Sequence, residues 1–204
     1  MDHGKMDHGK MDHGKMGPGS NPCTDKLTDL DYLIHMVPHH QVAIDMSNLL
    51  IENTRAPILL DLCRQIIRSQ SYEIWEMNHM KSYDGLLFTD DASSNDNDIT
   101  NLDTFYPVLS KSKDGECNPL FFKPNDHSKH MEGMVITGQS FLEHMIPHHQ
   151  VAINMSKRLL LYTNNSYLLE FCKNLIINQQ GEIFLMNNLL RNKGYLYESD
   201  ILGD

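Results

Sequence analysis

The sequence predicts an all-α protein, a four-helix bundle made of two helical hairpins. Three observations carry this expectation. Residues 31–81 align with 140–190 without a gap at a constant offset of 109, and 23 of those 51 positions are identical. Within each copy, apolar residues recur at helical spacing in two stretches. Only a few residues separate the stretches, as between antiparallel neighbours in a bundle. Two related halves in one chain are expected to pack about a pseudo-twofold axis, as a fused homodimer would.

The first helix is read from near Pro38 to about Asn53, with Pro57 marking its end. Proline suits a first helical turn because its missing N–H would be unpaired there. The second helix is read from about Ile58 to Lys81, with Leu59, Leu62, Ile66, Ile67, Ile74 and Met77 at helical spacing. The second copy repeats this at about 147–162 and 166–192. Between the copies, residues 89–103 are rich in Asp, Asn and Ser and read as a solvated loop. Phe105-Tyr106-Pro107 and Leu120-Phe121-Phe122 carry aromatics suited to covering a bundle surface.

Residues 1–20 repeat Met-Asp-His-Gly-Lys three times and end in Gly-Pro-Gly-Ser, which reads as an expression tag and its scar. Residues 21–204 then form one bundle domain: repeat one at about 31–81, an insert at about 82–139 and repeat two at about 140–190. The tag candidate holds three Lys and three Asp, so the body keeps the full net charge of −10. That balance argues against nucleic acid and anionic membranes as partners. A hydrophobic content of 40% with 22% charged residues excludes wholesale disorder. No apolar run approaches the roughly 18 residues of a membrane span. Of the four cysteines, Cys63 and Cys172 lie in apolar helical patterns and read as small core residues. Cys23 and Cys117 lie in polar, proline-flanked segments and suit a disulfide in an exported protein; the sequence leaves that pairing open.

The inward faces carry the chemistry. At 100° per residue, Met36, His39, His40, Ala43, Met46, Ser47 and Leu50 share one face of the first helix. Ile66, Gln70, Glu73, Met77 and Met80 share a face of the second. The other half repeats the polar set as His148, His149, Gln179 and Glu182. A glutamate on an inward stripe is costly unless it is paired or ligated. One reading is a buried hydrogen-bond network, in which Glu73 accepts from a histidine and Gln70 satisfies the rest. The other is a metal site of imidazole, thioether and carboxylate on facing helices. Thioethers favour Cu(I) over Zn, Mg or Ca. Nine methionines lie outside the tag, and most stand near a histidine. The segment from His127 to Met134 offers a further, more exposed Met/His set. Trp75, the only tryptophan, lies two residues from Glu73 and Met77 and is expected to report on the site.

The run F-L-E-H-M-I-P-H-H-Q-V-A-I-N-M from Phe141, followed by Q-Q-G-E-I-F-L-M from Gln179, resembles the domain of unknown function 305 family. The first half matches as Y-L-I-H-M-V-P-H-H-Q-V-A-I-D-M and Q-S-Y-E-I-W-E-M. The resemblance implies a ferritin-like four-helix bundle, often exported and in some members associated with copper binding or tolerance. By position, the implied metal residues are Met36, His39, His40, Met46, Glu73 and Met77, then Met145, His148, His149, Met155, Glu182 and Met186. An exported or other non-cytosolic setting is expected, and an Asn-x-Ser sequon at Asn164 is compatible with it.

Three functions compete. The expected one is a non-enzymatic metal-binding protein, with copper as the ion, for sequestration or handling. The alternative is a structural or interaction protein whose His/Glu motif is a buried polar network. A ferritin-like oxidase needs several carboxylates and a Glu-x-x-His on each of two helices. Only Glu76 to His79 has that spacing; its counterpart reads Leu185 and Asn188.

Overall fold

The computed structural model describes residues 27–82 and 135–193. The tag candidate, Cys23, Cys117, the aromatic segments of the insert and the His127–Met134 set lie outside the described residues. Four helices are present: α1 (Asp29–Asn53), α2 (Pro57–Ser82), α3 (Gly138–Leu160) and α4 (Ser166–Asn192). Helix α1 packs on α2, α3 packs on α4, and the two hairpins meet chiefly along α1 and α3. The starts of α1 and α3, and of α2 and α4, are each 109 positions apart, matching the sequence offset.

The first helix of each hairpin starts nine residues before its proline, not near it: α1 begins at Asp29 and α3 at Gly138. Caps set these starts. The Thr28 side chain accepts from Asp31 N at 3.1 Å, and the Thr137 side chain accepts from Ser140 N at 3.1 Å. Ser140 returns the favour to the Thr137 N–H at 3.0 Å, completing a capping box. Leu27 and Ile136 precede the caps, and Tyr32 and Phe141 follow at the fourth helical position. All four are buried, as in a hydrophobic staple.

Pro38 and Pro147 therefore sit inside helices. Each removes the N–H that would bond the carbonyl four residues earlier, at Ile34 and Glu143. Both of those residues are exposed, so water can take over the bond. Pro57 opens α2 at its first position, where no N–H is needed.

Packing follows the inward faces. Met36, His39, His40, Ala43, Met46, Ser47 and Leu50 are all buried, as are Ile66, Gln70, Met77 and Met80. Cys63 and Cys172 are buried free thiols. Burial pushes each thiol up to about 12. None of the described helices is long and apolar enough to cross a membrane.

Replacing Thr137 by Ala removes the capping box and is expected to cost about 0.5–2 kcal/mol. Urea denaturation measures this. A Thr137→Ser variant should retain most of the stability, and an unshifted midpoint for Thr137→Ala contradicts the capping account.

Candidate metal centre

Two imidazole–carboxylate contacts anchor the site. His40 Nε2 on α1 meets Glu73 Oε2 on α2 at 2.6 Å, and His149 Nε2 on α3 meets Glu182 Oε2 on α4 at 2.6 Å. The histidine side chains are fully buried. The carboxylates lie at the edge of the core, with side-chain exposures of 13% and 16%. An ionised carboxylate only accepts hydrogen bonds, so Nε2 carries the proton in each pair. In the neutral ring Nδ1 then holds the lone pair. That atom is buried in both His40 and His149 and has no hydrogen-bond partner among the described residues.

The first histidine of each motif faces the other hairpin. His39 and His148 stack face to face, with ring centroids 3.7 Å apart and planes 22° from parallel. Each lies about 6 Å from its clasped neighbour: 6.2 Å between His39 and His40, and 6.1 Å between His148 and His149. The four imidazoles thus form one buried group shared by both hairpins. An imidazole binds a metal in its ring plane, along the lone pair. Two stacked rings send their lone pairs side by side, so one shared ion requires a ring to turn.

The six motif methionines, Met36, Met46, Met77, Met145, Met155 and Met186, are all buried. Gln70 and Gln179 are buried one turn before the glutamates on the same faces. The Gln70 amide and Gln179 Oε1 have no hydrogen-bond partner among the described residues. The hydrogen-bond reading, with Gln70 completing the network, therefore lacks its closing contacts. Buried polar groups normally find partners, and each one left over costs about 1–3 kcal/mol. Among the described residues no three His, Cys, Asp or Glu side chains are grouped to hold a metal. A metal site here must therefore draw on thioethers. The residues present fit a soft ion on chemical grounds: buried thioethers together with the buried Nδ1 atoms of His40 and His149.

Two features differ from expectation. Trp75 faces outward, 59% exposed, and stacks on Tyr72 at 5.7 Å and on His79 at 5.5 Å. Sequence proximity to Glu73 and Met77 did not place it at the site, because a helix turns 200° in two residues. Glu76 accepts from the Tyr167 hydroxyl at 3.0 Å, so the Glu-x-x-His spacing lies on the outer surface. Sequence reasoning missed Tyr32. Its buried hydroxyl bonds Ser156 Oγ at 2.8 Å and ties α1 to α3. Burial, with the Cys172 thiol nearby, holds this phenol well above its usual value. Phe141 occupies the corresponding place in the other half, and the difference of one hydroxyl was the available signal.

A helical bundle with paired His–Glu clasps and a methionine-rich core is the class that fold and site define. The sequence profile of the Domain of unknown function (DUF305) matches residues 2–81 and 29–190, and the chain belongs to this family. An uncharacterized protein of Acanthamoeba polyphaga mimivirus is 44% identical over 52 residues, which cover 26% of this chain and 34% of that protein. The chain thus matches about a third of that relative's length. Among solved structures, CopM in the Cu(I)-bound form is 27% identical with a TM-score of 0.54, over 81% of this chain and 96% of that one. CopM in an Ag-bound form obtained by soaking is 26% identical with a TM-score of 0.54, over 82% and 97%. A putative secreted DUF305 protein from Streptomyces coelicolor shares the fold: 20% identity and a TM-score of 0.56, over 81% and 93%.

Replacing Glu73 by Ala leaves the buried His40 ring without its partner and is expected to cost about 1–3 kcal/mol. The same holds at Glu182. Unchanged urea midpoints in both variants contradict the clasp.

The histidines at the rim give a pH dependence. Burial holds His35 and His144 below the ordinary 6.5; for His35 the Asp31 charge partly opposes this. The unfolded chain therefore takes up these protons at higher pH than the folded one. Their contribution to stability is present above the unfolded value and lost as pH falls through it. The melting temperature is expected to fall between about pH 7.5 and 5.5. A His35→Gln, His144→Gln variant should flatten part of that slope, and an identical slope contradicts the assignment.

Proposed function

We propose that the bundle binds a soft monovalent metal ion, Cu(I), in order to sequester or hand it on, without turning over a substrate. The observation that carries this is the pair of clasps. Each holds Nε2 of a buried histidine on a carboxylate and leaves Nδ1 buried with no hydrogen-bond partner among the described residues. A metal-binding imidazole characteristically gives its other N–H to a carboxylate, which fixes its tautomer and raises its basicity. Glu73 and Glu182 then act on the histidines, while His39, His40, Met36, Met46 and Met77, with His148, His149, Met145, Met155 and Met186, supply the donors. The copper- and silver-bound forms of CopM support the reading, since Ag(I) and Cu(I) share a preference for thioether and imidazole.

A structural polar core is the second reading. The stacking of His39 on His148 favours it, because the rings as placed do not converge on one point. The unpartnered Gln70 amide weighs against it.

Cu(I) competition with a chromophoric chelator, on protein lacking residues 1–20, separates the two. That removal matters because the Met-Asp-His-Gly-Lys repeat offers donors of its own. The body is expected to withdraw copper from the chelator. Changing His39 and His40 to Ala should lower its capacity, and the matching change at His148 and His149 should remove the rest. Bound metal should stabilise the fold by about 2.7 kcal/mol at a free concentration a hundredfold above Kd. Equal binding without the four histidines leaves the structural reading standing.

A further inference from the structure

Helices α1 and α3 run antiparallel where the hairpins meet. Going from Tyr32 to His39 along α1, the partner moves back from Ser156 to His148 along α3. This register places two further histidines. His35 lies one turn before His39, and His144 lies one turn before His148. Residues four apart share a helix face, about 5–6 Å from each other at Cβ. Because the helices are antiparallel, His35 and His144 lie on opposite sides of the stacked pair. The order along the interface is His35, His39, His148, His144.

Exposure changes along this line. His39 and His148 are buried, His35 is partly exposed and His144 is exposed. The two outer rings, His35 and His144, thus stand between the buried pair and solvent. Each has an acid beside it. Asp31 lies one turn before His35 and acts on it electrostatically. Glu143 is the neighbour of His144 in sequence and accepts from Gln139 at 2.8 Å. Each outer histidine thus has a carboxylate within one turn on its own helix. The prolines fall in the same turns: Pro38 between His35 and His39, Pro147 between His144 and His148. A turn lacking one backbone hydrogen bond bends more readily than a complete one.

We propose that His35 and His144 are surface ligands that pass a soft metal ion inward to His39 and His148, giving the buried site two inlets, one on either side of the stacked pair. The inference rests on the reading that the core takes metal. Transfer is ligand exchange between imidazoles. One nitrogen–metal bond forms as another breaks, and the ion keeps its oxidation state.

The test is stopped-flow transfer of Cu(I) from a chromophoric chelator to the full chain. A variant with His39, His40, His148 and His149 changed to Ala serves as the blank, reading uptake by every donor other than the four buried histidines, the N-terminal Met/His repeat included. Above that blank, His35→Gln, His144→Gln should slow transfer about tenfold, the scale on which guiding groups alter association. Capacity and equilibrium competition should stay as in the unaltered chain. Each single variant should keep about half the rate, because two inlets work in parallel. Unchanged transfer in the double variant overturns the proposal. So does an affinity that falls in step with the rate, which makes the pair ligands of the final site. An unaltered chain that takes up no more copper than the blank overturns the metal reading itself, and the inlets with it.

Discussion

Two bonds between imidazole and carboxylate organise this bundle. A buried histidine is expensive unless its ring nitrogens find partners, and a carboxylate beside a core is expensive unless it finds a donor. The contacts of His40 with Glu73, and of His149 with Glu182, at 2.6 Å, satisfy the carboxylate and one nitrogen of each ring. Each bond joins the two helices of one hairpin, so it fixes their register as well as satisfying the groups. The ring orientation follows. With Nε2 committed outward to the carboxylate, the remaining lone pair is held within the core. A charge-assisted bond of this kind is roughly twice as strong as a neutral one, and it fixes the orientation of the ring.

The contact between hairpins depends on the same arrangement. With His40 and His149 held against their own second helices, the preceding histidines are left to face each other across α1 and α3. Tyr32 adds a directional bond to Ser156 in one half, while Phe141 in the other contributes apolar area without a hydroxyl. The two halves are therefore alike in their clasps and unlike in the contact that ties them together. Any ion shared by His39 and His148 must turn a ring out of the stack, so occupancy and the packing between hairpins are coupled.

Most of this was legible in the sequence where geometry is local. Periodicity identified the inward faces, and Met36, His39, His40 and Met46 are buried as 100° spacing demands. The pairing of a motif histidine with Glu73 was legible because an inward carboxylate must have a partner. What periodicity cannot carry is the register between helices. Which histidine would meet the glutamate and which would cross to the other hairpin depends on how α1 sits on α2 and α3. The starts of α1 and α3 were obscured by Pro38 and Pro147, whose ordinary place is a first turn; here exposed positions at Ile34 and Glu143 let the helix continue through them. Thr28 and Thr137 held the other signal, since threonine is a favoured N-cap residue. Trp75 shows the converse error, closeness in sequence taken for closeness in space.

The account stands on the tautomer that the clasps impose, and nitrogen-15 NMR of the imidazoles reads it directly. In metal-free protein near neutral pH, His40 and His149 are predicted to carry their proton on Nε2, with Nδ1 unprotonated. Titration with Ag(I), a redox-inert stand-in for Cu(I), should then shift Nδ1 of both rings while Nε2 keeps its proton. A proton found on Nδ1 in the metal-free protein, or Nδ1 resonances that do not move as silver is added, contradicts it.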